Sequence, residues 1–158
     1  MKNTEPEIQW IWQKIEHISG RHMYEILRVR QDIFIVEQQC LYADADDLDF
    51  SSLHLSGRDA DGRIAVYARL CPPGSRYDEP SIGRLLTVKK KRGSGLARHA
   101  IELCIKKAVA EWQSTQLRIS AQIYLRNFYS DFGFKKISEV YDEDGIKHID
   151  MMLDLQKV

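Results

Sequence analysis

The residues best suited to chemistry lie between Leu85 and Arg98. A strand-like stretch at 81–88 leads into Arg92-Gly93-Ser94-Gly95-Leu96-Ala97, where a helical pattern starts at once. A strand–turn–helix start gathers unpaired backbone N–H groups at the positive end of the helix dipole, and so makes a site for an anion. Gly93 and Gly95 permit unusual dihedrals and let a phosphate approach the backbone. Lys89, Lys90, Lys91, Arg92 and Arg98 add five positive charges in ten residues with no acid among them. Together these features predict a phosphorylated cofactor. Two common phosphate binders are excluded by spacing. No Lys-Ser/Thr pair follows the second glycine as a P-loop requires, and Arg98 stands where a G-x-G-x-x-G fingerprint needs its third glycine.

A second feature lies one strand later. Phe128-Tyr129 precedes Ser130-Asp131-Phe132-Gly133-Phe134, which places Tyr129 on a short helix one turn before a glycine stop. A tyrosine beside a departing sulfur can give its proton to the thiolate. Tyr129 and Phe132 can equally serve to pack that helix on a sheet.

The scaffold that must position these residues is legible in outline. Residues 8–12 predict a short strand, and Ser19-Gly20 predict the start of a helix. Met23, Ile26, Leu27, Arg30, Ile33 and Phe34 recur at three- and four-residue steps to its end near Glu37-Gln38. Residues 39–52 read as a loop. A hairpin follows, 53–57 and 63–71 around Asp61-Gly62. Beyond the strand at 81–88 come a long helix from Leu96 to Trp112, a strand at 117–122 and a short helix at 125–132. Residues 135–141 and 146–155 predict a last hairpin. The order implies an α/β (α+β) fold with a mixed sheet covered by helices.

A length of 158 residues, with no Pro/Gly-rich linker, predicts one domain over 1–158. An apolar content of 44% is enough for a core and argues against disorder. The 23 Lys+Arg cancel the 23 Asp+Glu, which excludes broad nucleic-acid binding. Cys40, Cys71 and Cys104 form no C-x-x-C pair, so neither a disulfide framework nor a metal site is expected, and reduced thiols point to the cytoplasm. Residues 1–6 lack an apolar signal core, and no apolar run is long enough for a membrane span.

Arg92-x-x-Gly95-x-Ala97 resembles the R/Q-x-x-G-x-G/A motif of the GNAT superfamily of acetyl-CoA-dependent N-acetyltransferases, and residues 128–134 look like its second hallmark. Over nearly its whole length the chain resembles ElaA-type GNAT proteins. The resemblance runs through 28–40, 42–49, Val66-Tyr67-Ala68-Arg69, Ile82-Gly83-Arg84, Asn127-Phe128-Tyr129 and 139–149. It implies a central mixed, mostly antiparallel sheet of about seven strands flanked by helices, and acetyl-CoA as cofactor. The backbone of Leu85, Leu86 and Thr87 would pair with pantetheine. Arg92, Gly93, Ser94, Gly95, Leu96, Ala97 and Arg98 would hold the pyrophosphate, and Tyr129 would protonate the leaving thiolate. Gln122 stands where the family usually has Asn, and its longer amide still offers a donor and an acceptor. The strand carries Arg84 where many members have a Glu base, so the resemblance assigns no base.

The implied acceptor is a primary amine on a small molecule or a protein, attacking directly in a ternary complex. An alkyl ammonium has a pKa of about 10, so a proton must be removed before attack. Five acids and no base occupy 37–49, the segment that tends to line the acceptor cleft in GNAT folds; an acidic cleft would attract an ammonium group. Glu37, His54 and His148 are the candidate bases; each also has a plain structural role open to it. Arg30 is expected to pair with one of the acids, since an isolated buried arginine is costly. Cys40 and Cys104 are expected to pack. Two other readings are a non-catalytic acyl-CoA-binding protein and an acyl-homoserine-lactone synthase-like enzyme, the latter echoed by Arg30 and Phe34. A homodimer through sheet edges or C-terminal strands is a further expectation by analogy with the fold.

Overall fold

The computed structural model describes residues 7–157, and the polar segment 1–6 lies outside them. Eight strands form one sheet in the order β1-β2-β3-β4-β5-β8-β6, with β7 pairing β8. They are β1 (Gln9–Lys14), β2 (Leu53–Arg58), β3 (Ile64–Cys71), β4 (Ser81–Thr87), β5 (Gln116–Gln122), β6 (Lys135–Lys136), β7 (Tyr141–Glu143) and β8 (Ile146–Asp154). The helices are α1 (Gly20–Arg30), α2 (Leu48–Ser51), α3 (Leu96–Trp112) and α4 (Arg126–Ser130).

Strand alternation explains the two cores. Val66, Ala68 and Leu70 of β3 face one side and join Ala100, Ile101, Cys104 and Ala108 of α3. Tyr67 faces the other side, with Ile26 of α1, Ile33, Phe34 and Leu86. Ser19 caps α1 by accepting the His22 N–H at 3.1 Å, as its residue type suggests. The helix continues as a π-helix, Gln31–Glu37, closed by a Gln38 N–H to Ile33 carbonyl bond of 3.0 Å. Such wide turns are frequent at functional sites.

The sheet opens at one place. The parallel pairing of β4 with β5 is confined to Ser81 with Arg118 and Ile82 with Ile119, after which the strands diverge. On its other edge β4 slips register against β3 between the partners Tyr67 and Arg69. Arg84 sits in that bulge with φ of 53°. A left-handed non-glycine residue costs about 1–3 kcal/mol and must be held by its surroundings. Here Asp44 holds it: the Arg84 guanidinium donates to the carboxylate at 2.8 Å and to the backbone carbonyl at 3.1 Å.

Three expectations need correction. Residues 135–141 are not one strand. The Ile137 N–H donates to the Asp150 carbonyl and the Asp150 N–H to Ser138 Oγ, a local side-chain bond that breaks the ladder into β6 and β7 and raises the count to eight. The 39–52 loop contains α2. The short helix begins as a tight turn, Ile123–Leu125, and its α-helical part is only Arg126–Ser130.

Candidate active site

The divergence of β4 from β5 opens a cleft of about 310 Å³. Its walls include Phe34 of the π-helix and Gln38 that caps it, Tyr42 and Asp46 of the following loop, Gly83, Arg84 and Leu85 of β4, and Tyr129 of α4. Period-two alternation builds the opposite wall. Leu117, Ile119 and Ala121 of β5 point to the α3 core, which turns Arg118, Ser120 and Gln122 to the other face. The register with β8 then sets His148 opposite Gln122 and Asp150 opposite Ser120.

The glycine turn lies between β4 and α3. Gly93 and Gly95 both have φ of 78°, and a Cβ built on either meets nothing within 4 Å, so the turn's surface is open. Gly95 is the N-cap of α3 and no side chain satisfies the first-turn amides. Ser94 Oγ instead donates to the Lys91 carbonyl. The basic run is partly neutralised. Arg92 pairs with Glu37 at 2.7 Å, Arg98 with Asp131 at 3.1 Å and Lys91 with Asp59 at 3.7 Å, while Lys89 and Lys90 stand exposed. Leu85 lines the cleft, whereas Leu86 is buried in the α1-side core and Thr87 is half-buried. Leu96 and Ala97 are half-buried at the helix start.

Tyr129 is buried against the core but reaches the cleft wall. Burial pushes its phenol well above the usual tyrosine range, so it keeps its proton. Gln122 donates to the Gln38 side chain at 3.2 Å across the cleft, which ties β5 to the C-terminal cap of the π-helix. His148 Nδ1 bonds the Ile146 carbonyl at 2.7 Å, and its Nε2 lies 3.5 Å from Glu143. Arg76 donates to Glu143 at 3.0 Å. Ser120, Tyr141 and Asp150 continue this polar wall inward, and Arg118 closes it with a 2.6 Å bond to Asp150.

Of the three candidate bases, the structure brings only His148 to the cleft. Glu37 ends its helix and pairs with Arg92 beside the glycine turn. His54 is buried, with one ring nitrogen 2.7 Å from the Tyr67 hydroxyl and the other 2.9 Å from the Asp49 carbonyl. Burial holds its pKa below the ordinary value and both nitrogens are occupied. The acidic segment does not present a free negative wall. Arg30 bonds Asp44 and Asp49, Arg69 bonds Asp46 and Asp49, and Arg84 bonds Asp44 and Asp46. Three arginines cancel three aspartates. The pairing expected of Arg30 is thus observed, and its buried guanidinium does not line the cleft, whereas Phe34 does. Cys104 lies in the core with its thiol pKa pushed up by burial, while Cys40 lines the cleft.

Sequence reasoning missed Ser120, Glu143, Tyr141 and Asp150. The signal is polar residues at every second position of 118–122 and at 148 and 150, alternating with the apolar Leu117, Ile119, Ala121, Ile149 and Met151.

Comparison with known proteins agrees with this geometry. The family model described as "Acetyltransferase (GNAT) domain" matches residues 33–155. The UPF0039 protein sll0451 of Synechocystis is 50% identical over 146 residues, 92% of this chain and 95% of that protein. Protein ElaA of Escherichia coli is 34% identical over 144 residues, 89% of this chain and 94% of its own. Among solved structures, an acyl-CoA N-acyltransferase from Pseudomonas aeruginosa matches with a TM-score of 0.87 at 32% identity, covering 92% of this chain and 99% of that one. The cleft between β4 and β5, the open glycine turn and these relatives lead to one conclusion: the chain belongs to the GNAT superfamily, in its ElaA group, and is an acyl-CoA-dependent acetyltransferase.

Proposed function

We propose that the protein transfers the acetyl group of acetyl-CoA to a primary amine, on a small molecule or a protein, by direct attack within a ternary complex. One observation carries this reading: the strand divergence joins a protonated tyrosine, Tyr129, and a polar wall with proton acceptors in the same cleft. The residues present fit the coenzyme. The open turn at Gly93 and Gly95 and the uncapped amides of α3 suit a pyrophosphate, with Arg92, Ser94, Leu96, Ala97 and Arg98 around it. Lys89 and Lys90 are free to meet a further phosphate. The backbone of Leu85, Leu86 and Thr87, with the Gln122 amide, would hold the pantetheine arm. When bound, the coenzyme supplies an activated acetyl thioester.

The chain's own residues do the rest. Tyr129 keeps a proton at its hydroxyl, because burial opposes the phenolate, and offers it to the leaving sulfur. The acceptor arrives as an ammonium ion and must lose a proton toward the wall that carries His148 and Glu143. No free acidic patch draws it in, so orientation falls to the same wall. Tyr129→Phe removes one hydroxyl and leaves the packing. Turnover is expected to fall by about 10²-fold or more, the usual worth of a positioned acid, while acetyl-CoA affinity holds. Steady-state thiol release and calorimetry read the two effects. Unchanged turnover would remove Tyr129 as the acid.

A further inference from the structure

The polar wall holds a chain of oxygens with too few hydrogens. Glu143 Oε2 lies 3.2 Å from Ser120 Oγ, Ser120 Oγ 2.5 Å from the Tyr141 hydroxyl, and that hydroxyl 2.6 Å from Asp150 Oδ1. With both carboxyls ionised, three close oxygen pairs share only two hydroxyl hydrogens, one from serine and one from tyrosine. One contact is therefore always without a hydrogen. Arg118 donates to Asp150 Oδ2 at 2.6 Å, and the Tyr141 hydroxyl donates to Asp150 Oδ1. Ser120 then has one hydrogen for two contacts, the Glu143 carboxylate, to which it donates at 3.2 Å, and the Tyr141 hydroxyl oxygen at 2.5 Å. The contact without a hydrogen is therefore one of the two that Ser120 makes, at the cleft end of the chain.

We infer that Glu143 is the group that takes the proton from the acceptor amine, with Ser120, Tyr141 and Asp150 forming the chain that receives it. This rests on the amine-transfer reading above. One N–H bond of the ammonium breaks, an O–H bond forms on Glu143 Oε2, and the freed nitrogen lone pair attacks the thioester carbonyl. The new carboxyl hydrogen donates to Ser120 Oγ, which releases the serine hydrogen to the Tyr141 oxygen and so fills the contact that lacked one. Each of the three links then holds one hydrogen, and no further proton is needed. After the product leaves, the proton returns to solvent from Glu143, which lies on the accessible rim with side-chain exposure of 37%. The charged and titratable groups facing this site come from every element around it. Arg76 meets Glu143 Oε1, His148 faces Oε2, Asp144 lines the same cleft, and Arg118 acts from behind Asp150. His148 is a positioning residue here: its Nδ1 is tied to the Ile146 carbonyl, and its ring stacks on Tyr141 at 6.1 Å.

Two readouts test this, and only one needs turnover. Protein with ¹³C at tyrosine Cζ and glutamate Cδ is titrated by NMR, with Tyr141→Phe and Glu143→Gln assigning the resonances. Protonation of Glu143 is expected to shift the Tyr141 signal, because the hydrogens between them are shared. Ser120→Ala should keep the Glu143 titration and lose the Tyr141 response. In thiol-release assays with amines, Glu143→Gln is expected to lower kcat/KM for the amine by about 10²-fold with KM for acetyl-CoA unchanged, and His148→Gln should cost far less. A Tyr141 signal blind to Glu143, or a large loss in His148→Gln with Glu143→Gln intact, would overturn the inference. A wild-type protein that acetylates no amine but keeps the coupled NMR response would support the chain and remove the transfer reading instead.

Discussion

Asp49→Ala is expected to destabilise the fold by about 3–5 kcal/mol, since it strips the shared partner from two buried guanidinium groups. Arg30 and Arg69 are essentially inaccessible, and each donates to the same Asp49 oxygen at 2.8 Å. Their desolvation is already complete in the folded state. What makes it tolerable is the ring of acids brought by a single loop: Asp44, Asp46 and Asp49 answer Arg30, Arg69 and Arg84 charge for charge. Losing one acid leaves an uncompensated positive charge beside Tyr67 and His54, neither of which can take it up. Urea denaturation of wild type and variant measures the difference, and a loss below about 1 kcal/mol would place the ring among ordinary surface ion pairs. The ring also gives stability a pH dependence of known sign. Burial alone would raise the Asp49 carboxyl, but Arg30 and Arg69 outweigh it and hold its pKa below the ordinary value. The contribution is therefore present above the unfolded-state pKa and is lost as pH falls through the folded one.

The second large effect concerns the glycine turn. Gly95→Asp is expected to abolish acyl-CoA binding at any concentration calorimetry can reach. Gly95 has φ of 78°, where an L residue is strained by about 1–2 kcal/mol. Free space around its Cα means that strain is not compounded by a clash, so the protein should still fold. The carboxylate, however, would stand at the uncapped start of α3, where the amides and helix dipole meet the pyrophosphate in the proposed binding mode. Gly95→Ala separates the two causes. It carries the strain without the charge and should weaken binding less than the aspartate does.

The parts of the molecule legible in sequence are those whose signal is local. The glycine turn, the Ser19 cap, the Asp-Gly hairpin and Tyr129 each lie within a few residues of the pattern that marks them. The acids at 44–49 were visible as a cluster, yet their meaning was not, because the arginines that neutralise them come from α1, β3 and β4, as many as 40 residues away. A charge run cannot declare which partners the topology will supply. His54 shows the same limit: on an alternating strand it looks available, and only the packing of Tyr67 and the Asp49 carbonyl against it occupies both nitrogens. Ser120, Glu143, Tyr141 and Asp150 meet across β5, β7 and β8, and the final arm is split into β6 and β7 where the Asp150 N–H donates to Ser138 Oγ. The divergence of β4 from β5, which creates the cleft, has no residue signature beyond the Gly83-Arg84 pair.

The most direct measurement is thiol release from acetyl-CoA by the purified protein across a panel of primary amines, with mass spectrometry of the amine products. The expected result is free coenzyme A formed only when an amine is present, in step with an N-acetylated product, and lost in Tyr129→Phe. Release of thiol at the same rate without amine, or binding of acetyl-CoA with no acetylated amine from any member of the panel, would contradict it.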